Sequence, residues 1–417
     1  MRSRLHSPTP IHARAVRPPC KRRHVYWKAD VSYDEETGSI VVDLTPADVR
    51  QVYDFAIADI ANAALSSSAD DTKGDVRFLQ AVINNDQLSV DEKNRIVNSV
   101  AQIGASVGAN ANFLADTDAL LTTVENRMSF AGVAESTGLW VKLEGGKHQA
   151  DGLELDTGME AGYDTDTYGF SFGADGEVRP GVRIGAAFSY LKGDADAEGD
   201  ALSATNDYDT FGLQAYASWD VKDNVRLGAE LAWFHTSNEI EQSISRADVS
   251  KAEAEFDADA FAFGIRAEGL FDVNGFSLIP HAGLRGIYVM NDEFKTKIDG
   301  ETAFENDQDN TFTAQLPLGV TVRKAFDTAS GWKLLPTADV TVTPQFGDTD
   351  FDTTVTGIGT GVDQTVNAEI AGNVTGRVSL GLQARKDAVS IGAHYGFTAG
   401  DAGRQDHSFG LNMSYRF

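Results

Sequence analysis

The nearest this chain comes to a covalent nucleophile is Ser171, set between glycines in Gly169-Phe170-Ser171-Phe172-Gly173. An acyl-transfer serine needs a sharp strand-to-helix turn that lifts its hydroxyl clear of the backbone. Ser171 instead falls in an alternation, with Tyr168, Phe170 and Phe172 on one phase and Gly169, Ser171 and Gly173 on the other, which is an uninterrupted strand. His281 and His394 sit on the polar phase of similar alternations and read as hydrogen-bonded interior imidazoles, not as metal ligands or acid–base groups. The single cysteine, Cys20, permits neither an internal disulfide nor a thiolate cluster. Phosphate-loop and HExxH patterns are absent. Two acidic stretches, residues 193–209 and 255–260, offer carboxylate oxygens to hard cations, but neither has calcium-loop spacing, and both read as solvated charge on mobile loops. The expectation is no enzyme, no metal and no cofactor.

At 417 residues the chain is long enough for several ordinary domains, or for one large barrel with an attachment. Its net charge of −27, with no basic stripe beyond the first 28 residues, excludes a nucleic-acid partner. No apolar run is long enough for a helical membrane span. A mildly negative mean hydropathy is nevertheless compatible with a membrane β-barrel, whose polar lumen face dilutes its lipid face. Forty glycines against ten prolines, with 23% charged residues, suit a β-rich protein better than a disordered one.

Residues 1–43 divide into a basic, Pro-rich start and two short strands. Met1 to Arg23 has no apolar core of the kind a secretory signal needs, so the reading is a truncated or miscalled beginning whose true start lies upstream. His24 to Tyr33 and Ser39 to Leu44 read as the two strands, joined by a turn. Residues 44–111 read as a helical connector. Thr45-Pro46 with Asp48 predicts a helix start, continued by Val49, Val52, Ala56 and Ile60. A second helix begins at Asp75, and a third at Ser89, where Glu92 completes a capping box. A fourth runs from Asn112 to Phe130, within a segment 112–137 that leads into the barrel.

From Gly138 to Phe417 the period changes to two, and twelve alternating segments follow. Connections after the even-numbered segments are tight turns, such as Arg179 to Gly181 and Lys222 to Asn224. Those after segments one, three, five, seven and nine are long: Gln149 to Tyr163, Gly193 to Asp207, Asn238 to Glu253, Asn291 to Asn310 and Gly347 to Gln364. Even strand number with loops sorted by rim predicts an all-β transmembrane fold, a 12-stranded antiparallel outer-membrane barrel. Lys142, Glu144, Arg226, Glu230, Arg266, Glu268, Arg285, Arg323, Arg377 and Arg385 fall opposite the apolar phase and line its interior. The last strand puts Phe409, Leu411, Met413, Tyr415 and Phe417 on its apolar face. A ring of this size has room for about one helix, and the fourth helix, at about 1.5 Å per residue, is long enough to plug it. Its lumen residues include Leu121, Val124, Asn126, Arg127 and Met128.

The helix end Thr122-Thr123-Val124-Glu125-Asn126-Arg127-Met128-Ser129-Phe130-Ala131-Gly132, the strand Gly138-Leu139-Trp140-Val141-Lys142-Leu143-Glu144, the run from Tyr168 to Glu177 and the closing Asn412 to Phe417 resemble the translocator domain of type Va autotransporters. The resemblance covers the barrel, and the helical stretch resembles the family's connector. It implies an outer-membrane translocator of a Gram-negative bacterium that exports an N-terminal passenger by type V secretion and anchors it. It further implies a monomeric barrel with long loops outside and short turns in the periplasm, in contact with outer-membrane lipid and lipopolysaccharide. In this family the barrel-assembly machinery reads the final strand as an assembly signal. Some members cut their plug helix between two asparagines, assisted by an acidic lumen residue for which Glu144, Glu230 or Glu268 would stand here. Here the matching place reads Val124-Glu125-Asn126-Arg127, so the second asparagine is missing and that cleavage is not expected. The passenger is too short for the family's long β-helix, which fits a truncated start. Alternative readings are a porin-like diffusion channel, or the anchor of a surface adhesin or enzyme absent from this chain.

Overall fold

A computed structural model describes residues 27–34, 39–67, 73–132, 138–246 and 249–417. The readings of Met1 to Arg23 and of Cys20 fall outside them. The first described element is a hairpin of Trp27–Asp34 and Ser39–Pro46 in antiparallel register.

The continuous helix expected from Thr45 is broken. Asp48 caps a 3-10 turn at Val49–Gln51, accepting from the Arg50 amide at 3.0 Å, and α1 starts only at Ala58 (Ala58–Ser66). Between them Asn98 substitutes for helical bonds: it accepts from Ala56 N at 2.9 Å and donates to Asp54 O at 2.9 Å. A side chain reaching in from another helix outcompetes the local ladder here. Helices α2 (Gly74–Ile83) and α3 (Val90–Ala101) follow, the latter opened by the capping box, with Ser89 Oγ accepting from Glu92 N at 3.1 Å and Glu92 Oε2 from Ser89 N at 2.8 Å. A short α4 (Ile103–Ser106) is separated from α5 (Ala109–Met128) by Gly108 at φ 62°. A Cβ there would stand 2.2 Å from the Tyr163 ring, so both the turn and the contact require glycine. Helix α5 therefore begins before Asn112 and stops short of Phe130, with the turn at Gly108 setting its start.

The wall is a closed antiparallel ring of twelve strands among the described residues. They are β1 (Gly138–Glu154), β2 (Glu160–Arg179), β3 (Val182–Gly199), β4 (Ala204–Lys222), β5 (Val225–Arg246) and β6 (Val249–Gly269). Then come β7 (Phe276–Asn291), β8 (Leu318–Arg323, continued outward by Thr311–Gln315), β9 (Lys333–Gly347), β10 (Val374–Lys386), β11 (Val389–Gly400) and β12 (Gln405–Arg416). β12 closes the ring on β1 with Leu411 opposite Leu143 and Tyr415 opposite Leu139. Leu143, Phe172, Leu231, Ile265, Leu380 and Leu411 are exposed on the outer surface, within an apolar band that runs around the wall. Such an area on a ring with a polar interior is the lipid-facing band of a membrane barrel.

The connections read as long loops are mostly strand. β3 runs to Gly199 and β4 resumes at Ala204, although 193–207 was read as loop, and 255–260 lies inside β6. Additional hairpins, Phe294–Ile298 with Glu301–Gln308 and Asp350–Gly357 with Asp363–Glu369, complete the circuit, which the Leu155–Ala368 bridge closes back to the end of β1. The barrel thus rises beyond its lipid band as a closed collar. Alternation misled because the collar's outer face is polar: Asp166, Asp194, Asp207, Glu239 and Glu255 stand directly opposite one another on successive strands. Such like-charge rows weaken pairing, and here lysines temper them, as where Lys147 meets Asp164 at 2.6 Å and Lys251 meets Glu253 at 2.6 Å. Tyr190 and Trp233 mark the boundary with the lipid band, donating to Asp209 at 2.5 Å and Asp259 at 2.9 Å.

Inside the collar sit α1, α2 and α3. Ile60, Leu79, Phe78, Ile96 and Val100 share one core with Ile240, Phe256, Phe294, Phe304 and Val355 of the inward-facing collar positions. Asp75 pins this cap to the hairpin turn after Gly357, accepting from Gly359 N at 2.6 Å, Thr360 N at 3.0 Å and Thr360 Oγ1 at 2.9 Å.

Candidate functional site

Helix α5 stands in the lumen below the cap, and its polar residues are what the wall recognises. Of the expected plug residues, Leu121, Val124 and Met128 are buried, Val124 and Met128 against Trp140, Ala187 and Tyr216. Arg127 pairs with Asp175 at 2.6 Å, and Arg183 reaches the same carboxylate at 2.8 Å. Asn126 is exposed to the cavity described below.

The centre of the plug is Glu125. Arg285 donates to it through Nε at 2.8 Å and Nη2 at 2.6 Å, and Arg266 through Nη1 at 3.2 Å. Arg285 also reaches Asp118 at 2.5 Å and Thr122 at 3.2 Å, so one guanidinium gathers a face of α5 spaced four and three residues apart. Arg377 donates to Thr122 at 3.1 Å from the other side. Lys142 bonds Thr123 at 2.5 Å and Glu144 at 2.7 Å, while Ser171 donates to Glu144 at 2.6 Å, which is the use the fold makes of the glycine-flanked serine. Glu230 is buried beside this network, with no hydrogen bond to either oxygen. His281 meets Asp339 at 2.9 Å, and His394 lines the lumen.

The helix end is tied down as tightly. Its terminal carbonyls have no partners within the helix, and the wall supplies one for Met128 O, to which Arg226 donates at 3.1 Å; just past the helix, Arg323 donates to Phe130 O at 2.6 Å. Glu268 accepts from Phe130 N at 2.8 Å and Ser129 Oγ at 3.0 Å, and is itself held by Arg266 at 2.7 Å. Arg385 occupies the inward phase of β10 close to the short-turn rim. Glu144 and Glu268, imagined as processing groups, are thus engaged by neighbours, and Glu125 itself is clamped.

Several residues of the site were not singled out from sequence. Asp175, His148 and Asp406 continue phases that can be extended from assigned residues, Asp175 two positions past Gly173, His148 four past Glu144 and Asp406 three before the outward Phe409, and that phase is the available signal. Asp118 carried a signal too, since it shares a helix face with Thr122 and Glu125.

The packing is lopsided. α5 is pressed against β3, β4 and β5, while on the side of β9 to β12 a cavity of about 250 Å³ remains, bounded by Asn126, Lys142, Arg377, His394 and Asn412.

A sequence profile described as the autotransporter beta-domain matches residues 139–396, more than half of the chain. The chain belongs to the autotransporter β-domain family. As such it is an outer-membrane translocator of type V secretion, its β-domain that of a transporter family, with a passenger of its own. Among solved structures, it is similar to the translocator domain of autotransporter NalP from Neisseria meningitidis, at 16% identity over 76% of this chain and 99% of that one, with a TM-score of 0.59. It is also similar to the transport unit of the autotransporter AIDA-I from Escherichia coli, at 15% identity over 75% and 99%, with a TM-score of 0.50. These likenesses concern the fold. No curated protein matches the chain.

Proposed function

We propose that the autotransporter barrel stands with its short turns in the periplasm and its collar and cap outside, and that it anchors a passenger joined ahead of the Trp27 hairpin. The observation that carries this reading is the match between lumen and helix: a polar α5 with every charged group facing a counter-charge, inside a wall whose outer band is apolar. An open diffusion channel has no use for Arg226 on the last carbonyl of α5 or for Arg323 on the carbonyl of Phe130 just beyond it. The chain divides into 1–43, 44–111, 112–137 and the barrel from Gly138, shifted only in that the hairpin runs on to Pro46 and the plug helix starts at Ala109. The outer leaflet meets the Tyr190 and Trp233 boundary, where lipopolysaccharide contacts the foot of the acidic collar. The barrel works as a monomer, and any enzymatic or adhesive activity resides in the passenger.

An epitope tag fused ahead of Met1 tests the orientation. It should be labelled by antibody on intact cells, and labelling only after envelope rupture would reverse the reading. We further infer that the barrel-assembly machinery reads Phe409, Leu411, Met413, Tyr415 and Phe417. Tyr415→Ser with Phe417→Ser should cut the heat-modifiable, folded fraction in the outer membrane about tenfold, on the scale of about 1.4 kcal/mol per decade. Refolding of the same variant in detergent should be affected far less, because these side chains lie on the lipid face and make no lumen contact. Equal losses in both settings would assign the effect to barrel stability instead.

A further inference from the structure

The cavity beside α5 follows the helix from Ala115 to Arg127. Its lining runs from Gly132, Gln383 and Ser414 at the short-turn end up to His148, Arg404 and Asp406. At that upper end two tiers cross the lumen. In the lower tier His148 of β1 lies between Asp116 of α5, at 3.5 Å, and its cross-strand neighbour Asp406 of β12, at 3.2 Å, while Arg404 holds Asp406 at 2.8 Å. His148, Asp116 and Asp406 are nearly inaccessible, Arg404 is partly buried, and neither oxygen of Asp116 has a hydrogen bond. In the upper tier Ala150, Leu153 and Tyr163 close on Ala111 of α5, with Ala402 packed against them. The amides of Asp151 and Gly152 hold the Ala402 carbonyl at 3.3 and 3.2 Å, which straps the turn before β12 to β1.

We propose that the plugged barrel is an interrupted pore, in which water and ions enter from the short-turn rim along α5 and are stopped by this two-tier gate, charged below and apolar above. The proposal rests on the barrel standing in a membrane. The reasoning is one of continuity. α5 fills only one side of the lumen, so the helix by itself leaves a path. Apolar constrictions of this kind stop ions by excluding water. The gate also joins three parts of the chain: the plug through Asp116 and Ala111, the first strand through His148 and Leu153, and the last strand through Asp406.

The test uses the full chain. In planar bilayers wild type should show no steady conductance, whereas Leu153→Ser with Tyr163→Ser should open a steady current at least tenfold above the wild-type background. Heat-modifiable gel mobility confirms that the variant barrel is formed, and loss of that shift in wild type would refute the barrel, not the gate. As a second measurement, Asn126→Cys in a Cys20→Ser background places a thiol in the cavity. A charged maleimide too large for general porins should label it in ruptured envelopes and leave it untouched on intact cells, with the Met1 tag reporting orientation independently. A folded double-serine variant that stays silent, a wild type that conducts steadily, labelling on intact cells, or no labelling in ruptured envelopes would each overturn the proposal. Should the double-serine variant fail to fold, the labelling pattern decides alone.

Discussion

Arg285→Ala will loosen the plug without dissolving the barrel. The side chains of Arg285 and Glu125 are only 5% and 4% exposed, so removal of the guanidinium strands a carboxylate that water cannot reach. Removing one member of a buried pair costs about 3–5 kcal/mol, more than the pair itself contributes, because the partner keeps its desolvation penalty. Arg266 remains within 3.2 Å of Glu125, which places the expected loss toward the lower end. The midpoint of urea-induced loss of the folded gel band should fall accordingly, and hydrogen exchange along α5 should rise before exchange in β1 to β12 does. Arg285→Lys should recover only part, since an ammonium cannot reach Glu125, Asp118 and Thr122 as a planar fork. An unchanged midpoint for Arg285→Ala would remove this residue from the centre of the plug.

Leu79→Asp should separate the cap from the collar. Leu79 is fully buried between helices and collar wall. Replacing it loses the transfer and cavity terms of a large-to-small change, about 2–5 kcal/mol, and places a carboxylate in an apolar core as well. An element of this size commands a stability of only a few kcal/mol, at about 0.1 kcal/mol per residue. Trypsin should then cut at Arg77 and Arg95, while the fragment holding α5 and the barrel keeps its resistance and its mobility shift. An unaltered digestion pattern would mean that the cap holds by other contacts.

Much of this molecule is legible in its sequence. Period-two alternation depends only on which face meets lipid, so Leu143, Phe172 and Leu411 announced their strands directly. The capping box at Ser89 and Glu92 is local and equally plain. What stayed hidden depended on partners far away in sequence. Nothing near Ala56 says that Asn98 will take its amide, so the broken helix was invisible. The collar strands were read as loops because their outer face is acidic, and the inward phase of small or medium apolar residues, such as Ala195, Ile240 and Ala254, makes sense only once the cap that covers them is known. Within the lumen the right residue types were found, but Glu125, read only for its place beside Asn126, proved to be the hub because Arg266 and Arg285 converge on it from two adjacent strands.

The cap inside the collar also has a mechanical meaning. The helices α1 to α3 together are broader than the single helix that threads the lumen beneath them, so the chain has a head above the wall and a shank within it, like a rivet. A pull on the shank toward the short-turn rim must first crush the head. A pull outward from the hairpin at Trp27, the direction in which a surface load would act, reaches the core around Leu79 and the Asp75 latch before it reaches any ion pair of α5. Tension is thereby spread into the hydrogen-bonded hoop of the collar, and the charged contacts in the lumen are spared the strain.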